Sequence, residues 1–139
     1  MKGRLLAACL LAGLALSACA PADAVRVSRQ IGASLYLPAS LPSGMRLGKV
    51  QRVGSHMAWL SFTGGEGLLS VFESPDPISP PPGAVRDKQG LWRASSLVGG
   101  LTQRTALLHL QGAYVEVMAI GIGGASFAKL TSAWQRVGP

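Results

Sequence analysis

His56 and His109 are the only imidazoles in this 139-residue chain, so a general base working near neutral pH would have to be one of them. Nucleophilic hydrolysis would also need a serine or cysteine against that ring and a third group to orient it. No serine sits in a Gly-x-Ser-x-Gly elbow. His109 lies between Leu108 and Leu110, as a strand residue near the surface would, and His56 adjoins a turn. Neither is expected to be catalytic. Two distant histidines and six scattered carboxylates provide no spaced metal-ligand cluster. Glycoside hydrolysis would need two converging acids. The nearest in sequence are Glu66 in a turn and Glu73 at a strand end, each expected to be solvated. No metal or cofactor is implied.

Two glycine-rich stretches invite a phosphate reading. Gly44-Met45-Arg46-Leu47-Gly48-Lys49 has too few intervening residues for a P-loop, and Val50 stands where a hydroxyl is required. Gly121-Ile122-Gly123-Gly124-Ala125-Ser126 does fall between a strand pattern and a helix pattern. The chain ends before a ribose-binding acid could follow, so a tight strand-to-helix connection accounts for these glycines.

Cys19 carries the most specific chemistry. Lys2 and Arg4 precede an apolar run from Leu5 to Leu16, and the small residues Ser17 and Ala18 follow. This is the pattern of a secretory signal, and the run is too short for a membrane span of ~20 residues. Leu16-Ser17-Ala18-Cys19 resembles the lipobox of bacterial lipoproteins. That resemblance implies a diacylglycerol thioether on Cys19, cleavage before it, and anchoring in the cell envelope. Ala20 replaces the inner-membrane retention aspartate of enterobacterial lipoproteins, which favours the outer membrane in a diderm source. Residues 1–18 are therefore expected to be signal, and 19–34 a lipidated, flexible tether. Residues 35–139 should form the folded domain. Cys9 leaves with the signal, so the domain holds no thiol for a disulfide.

Of thirteen basic residues, Lys2 and Arg4 also leave; eleven against six acids give the mature chain a charge of +5. The cations form no run of five or six. An exported chain does not meet nucleic acid, so the bias points to anionic envelope neighbours.

The elements that must position any site follow from periodicity. Leu35–Pro38 is an extended piece, and Leu41-Pro42-Ser43-Gly44 a turn. His56–Phe62 alternates, with Ala58, Leu60 and Phe62 on one face and Met57, Trp59 and Ser61 on the other. Gly64–Gly67 reverses the chain into a strand over Leu68–Glu73. Pro75–Gly83 holds too many prolines for a sheet interior and reads as a stiff connector. Leu91–Val98 is a further strand. Thr105–Leu110 and Ala113–Ile120 form a second hairpin. Ser126 is positioned to cap a terminal helix whose stripe, Phe127, Leu130, Trp134 and Val137, should cover the sheet. The expected class is α+β: one antiparallel sheet of about five strands with a C-terminal helix on one face.

Several of these segments resemble one known module. Leu41-Pro42-Ser43-Gly44-Met45 is similar to its opening turn, and Ser61–Phe72 to its Ser-Asp-Gly-Leu hairpin. Ala106–Gly121 followed by the terminal helix is similar to its ending. The module is the small C-terminal domain of MucB/RseB-type sigma-E regulators, with related domains of unknown function in lipoproteins, and the resemblance spans about residues 38–137. Glu66 stands nearest the family's aspartate, and the family's large lipid-sensing N-terminal domain has no counterpart in these residues. The resemblance implies a non-enzymatic module that binds an envelope protein or lipid partner, and Trp59 and Trp92 are candidates for its contact surface. The alternative is an envelope hydrolase with a dispersed site.

Overall fold

A computed structural model describes residues 21–138; the segment expected to be a signal and Cys19 lie outside the described residues. The order is α1 (Pro21–Ile31), β1 (Leu35–Pro38), β2 (Arg46–Val53), β3 (Met57–Thr63), β4 (Leu68–Ser74), β5 (Val85–Arg86), β6 (Trp92–Val98), β7 (Leu101–Leu110), β8 (Ala113–Ile120), α2 (Gly124–Ser132) and β9 (Trp134–Val137). Seven strands make one antiparallel sheet in the order β2-β3-β4-β8-β7-β6-β5, and β1 and β9 form a separate ribbon.

The period-two pattern of β3, β4 and β8 divides the sheet into two faces. Ala58, Leu60, Phe62, Leu69, Val71, Val115, Val117 and Ala119 are buried on one of them. They form a single cluster with Ala24, Val27 and Ile31 of α1, Leu35 and Leu37 of β1, and Phe127 and Leu130 of α2. Both helices and the ribbon therefore cover the same face. This is a two-layer α+β domain.

Three expectations need correction. The segment read as a tether is a docked helix. Pro21 opens it, where a missing N–H costs nothing. Asp23 near its start and Arg29 near its end complement the helix dipole. Ala24, Val27 and Ile31, at spacings of three and four, are buried in the core. Gly32, at φ +70°, ends it. The sheet has seven strands rather than five, because polar β2 and two-residue β5 carry almost no apolar alternation.

The terminal helix is shorter than expected. Gly123, not Ser126, is its N-cap, and the chain turns extended at Ala133. Trp134–Val137 then pairs with Leu35–Pro38. All four β1 residues are buried, so their backbone groups need partners, and β9 supplies one side of that ladder. Phe127 and Leu130 cover the sheet as expected. Trp134 packs against the same core from a strand, its indole N–H donating to the Thr131 carbonyl at 3.1 Å.

Candidate binding surface

The second sheet face carries neither described helix. Its register aligns Gln51, Trp59, Phe72, Glu116, Leu107, Trp92 and Arg86 in one row across all seven strands. The two tryptophans singled out in the sequence thus share a row, with Phe72, Glu116 and Leu107 between them. Four inter-strand steps of about 4.8 Å separate them by roughly 19 Å. Both are half-buried.

Trp59 stacks on Phe72 with ring centroids 6.4 Å apart and planes 13° off parallel. The Arg86 guanidinium lies 6.0 Å from the Trp92 ring centroid, within cation–π range. The Trp59 indole N–H is buried and has no acceptor among the described residues, although buried indoles usually find one. In the middle of the row, burial alone pushes the Glu116 carboxyl above the usual carboxylate range. An adjoining row runs Lys49, Ser61, Ser70, Met118, Thr105 and Ala94. Beyond the other side of the tryptophan row, His109 stacks on Tyr114 at 4.2 Å. The face is aromatic and methionine-bearing, with small hydroxyls and with cations at its margins.

The residues weighed for catalysis do not converge. His109 is a strand side chain held by Tyr114. His56 lies in the β2–β3 turn, and its Nδ1 is 3.1 Å from Asp76. The sequence reading missed that partner, which comes from the first turn after β4. Both side chains of the pair are well exposed, at 59% and 67%, and among the described residues no serine hydroxyl bonds the ring. This is a surface pair worth at most ~1 kcal/mol, without a nucleophile.

Glu73 corrects another expectation, since it is fully buried rather than solvated. One carboxyl oxygen accepts the Tyr36 N–H at 2.6 Å, and the other has no partner among the described residues. Burial raises its pKa well above the usual carboxylate range, and the Tyr36 hydrogen bond opposes that only in part. Its work is structural: it joins β4 to the buried edge of β1. Among the described residues no three histidine or acidic side chains could share a metal.

On the helix-bearing side, a cleft of about 400 Å³ opens between β6, β7 and α2, lined by Val85, Arg93, Ser95, Arg104 and Phe127 among others. Arg93 donates to Asp87 at 2.7 Å, and Arg104 donates through Nε to the Ile122 carbonyl at 3.2 Å. The Arg93 hydrogen bond holds the Asp87 carboxyl below its ordinary value, assisted by the Leu91 and Gln89 amides.

No family model matches the chain, and no curated protein matches it. Among solved structures, the chain is similar to MucB in complex with MucA(peri), with a TM-score of 0.47 and 16% identity. That likeness covers 72% of this chain and 35% of the other. A likeness of that extent leaves function to be argued from the residues themselves.

Proposed function

We propose that this chain is an envelope binding module that holds a protein partner on its helix-free sheet face and performs no turnover. The carrying observation is the row Trp59, Phe72, Glu116, Leu107, Trp92, which puts both tryptophans on one sheet face. Protein-interface centres are enriched in aromatic residues, methionine and arginine and depleted of charge. The helix-free face has that composition, with Trp59, Phe72, Trp92, Met118 and Arg86 on it. Burial raises the carboxyl pKa of its central acid, Glu116.

Attachment to the membrane is part of the proposal and rests on Leu16-Ser17-Ala18-Cys19. With α1 starting at Pro21, lipid on Cys19 would hold the domain directly against the bilayer and confine its partner search to the envelope.

The test is site-specific photocrosslinking in the native cells. A photoreactive residue at Ser70 or Met118, on the helix-free face, should trap one discrete envelope protein. The same probe at Ala128, exposed on α2, should not. Turnover of ester, peptide, phosphate or glycan substrates that vanishes with His56→Ala or His109→Ala would replace the proposal with a hydrolase.

A further inference from the structure

The β6–β7 hairpin carries features that the proposed partner surface leaves unused. Gly99 and Gly100, at φ +58° and +79°, form its two-residue turn. Beside that turn Leu97 is 76% exposed, Leu101 54% and Val98 45%. The tip also outruns its neighbours. Pairing with β8 reaches only to Gln103, and pairing with β5 only to Arg93. The result is an apolar finger projecting from the sheet.

At its base lies the cleft of Arg93, Ser95 and Arg104. No carboxylate among the described residues forms an ion pair with Arg104, while Arg93 is shared with Asp87. Between Asp87 and Glu116 the sequence holds Lys88, Arg93 and Arg104 and no acid.

We infer that the β6–β7 hairpin inserts into an anionic phospholipid bilayer, with Leu97, Val98 and Leu101 in the acyl boundary and the Arg104 cleft on a lipid phosphate. The dimensions agree. Leu101 and Arg104 are three strand residues apart, ~10 Å, and interfacial apolar groups enter ~5–10 Å below the headgroups. A second copy fits less well. Edge pairing would engage only Ala94–Val98 and would bury less than the ~1,000 Å² of a stable interface, between chains of like charge.

The inference does not depend on lipid at Cys19, so its test omits that residue. Every described element lies within residues 21–138, so a chain from Ala20 to Pro139 keeps all of them. It is floated with vesicles of phosphatidylcholine alone, or of phosphatidylcholine with about a third phosphatidylglycerol. Expected are binding to the anionic vesicles only, a fall of at least ~tenfold in partitioning for Leu97→Ser/Leu101→Ser, and weakening by Arg104→Ser or by salt. Excess inorganic phosphate should compete weakly, since it lacks an acyl boundary for the tip. The altered side chains are exposed or lie at the cleft, and circular dichroism confirms that each variant is folded. No flotation, or equal flotation of the tip variant, would overturn the inference. So would a concentration-dependent dimer, or capture of an acidic peptide, that the tip substitutions abolish in the absence of vesicle binding.

Discussion

Replacing Glu73 with glutamine should remove a pH-dependent weakness from the core. The carboxyl is fully buried, with one oxygen on the Tyr36 N–H at 2.6 Å and the other without a partner. Burial holds its folded pKa well above the ordinary value, whereas in the unfolded chain it titrates near ~4.3. The native state therefore keeps a proton that the unfolded state releases. Its contribution is complete below the unfolded pKa and is lost as pH rises through the folded one, by ~1.4 kcal/mol for each unit separating the two. Glutamine keeps the accepting oxygen and cannot ionise. Its amide hydrogens meet the same partnerless space as the carboxyl proton, so near pH ~4.5 the two proteins should agree within ~1 kcal/mol. By pH ~8 the glutamine variant should be the more stable. Leucine separates the two effects: it also abolishes ionisation, but it strands the Tyr36 N–H at a cost of ~1–3 kcal/mol at every pH. Urea titrations of the Ala20–Pro139 chain at half-unit steps between pH ~4.5 and ~8 read these differences directly. If glutamine and wild type lose stability in parallel as pH rises, the proposed role of Glu73 is wrong.

Four further substitutions probe the fold. Val27→Pro should cost ~3 kcal/mol or more, because α1 is a packed helix; a flexible tether would absorb it, and an unchanged urea midpoint would restore that reading. Phe127→Ala should cost ~3–5 kcal/mol, a large share of a small domain's stability, whereas Trp134→Ala, at a half-buried strand position, should cost less by the same assay. Asp87→Asn should speed hydrogen exchange at the Leu91 and Gln89 amides that it now accepts. Because its folded pKa is lowered, its contribution is present above the unfolded value and lost as pH falls through the folded one. Acidification of the wild type should therefore lower the protection factors of those two amides, as the substitution does.

The sequence was most legible where one face of a strand is buried and the other is not. Ala58, Leu60 and Phe62 alternate with Met57, Trp59 and Ser61, and β3, β4 and β8 lie close to where that pattern puts them, whereas β7 starts at Leu101 rather than Thr105. Trp59 and Trp92 stood out in the sequence by residue type alone; only pairing through four intervening registers puts them in one row. β2 was hidden because Arg-Leu-Gly-Lys-Val-Gln-Arg-Val buries a single residue, Val50. α1 was hidden because its apolar stripe is only Ala24, Val27 and Ile31, in a helix that also holds three arginine or glutamine side chains. The terminal stripe misled for a different reason. Spacings of three and four fit Trp134 and Val137 to a helix, yet a buried β1 requires a pairing partner, and tertiary hydrogen bonding overrode local periodicity. Glu73 could not be read as buried at all, because its one partner, the Tyr36 amide, is 37 residues away.

The central claim, binding through the helix-free face, is tested most directly by measuring affinity for the crosslinked envelope partner with and without the tryptophan row. Trp59→Ala and Trp92→Ala leave the opposite-face core untouched. If the row is the interface centre, at least one of them should cost ~2 kcal/mol of binding, about a thirtyfold rise in Kd by calorimetry, while Ala128→Ser on α2 changes nothing. Equal affinity for wild type and both tryptophan variants would place the partner elsewhere and contradict the account.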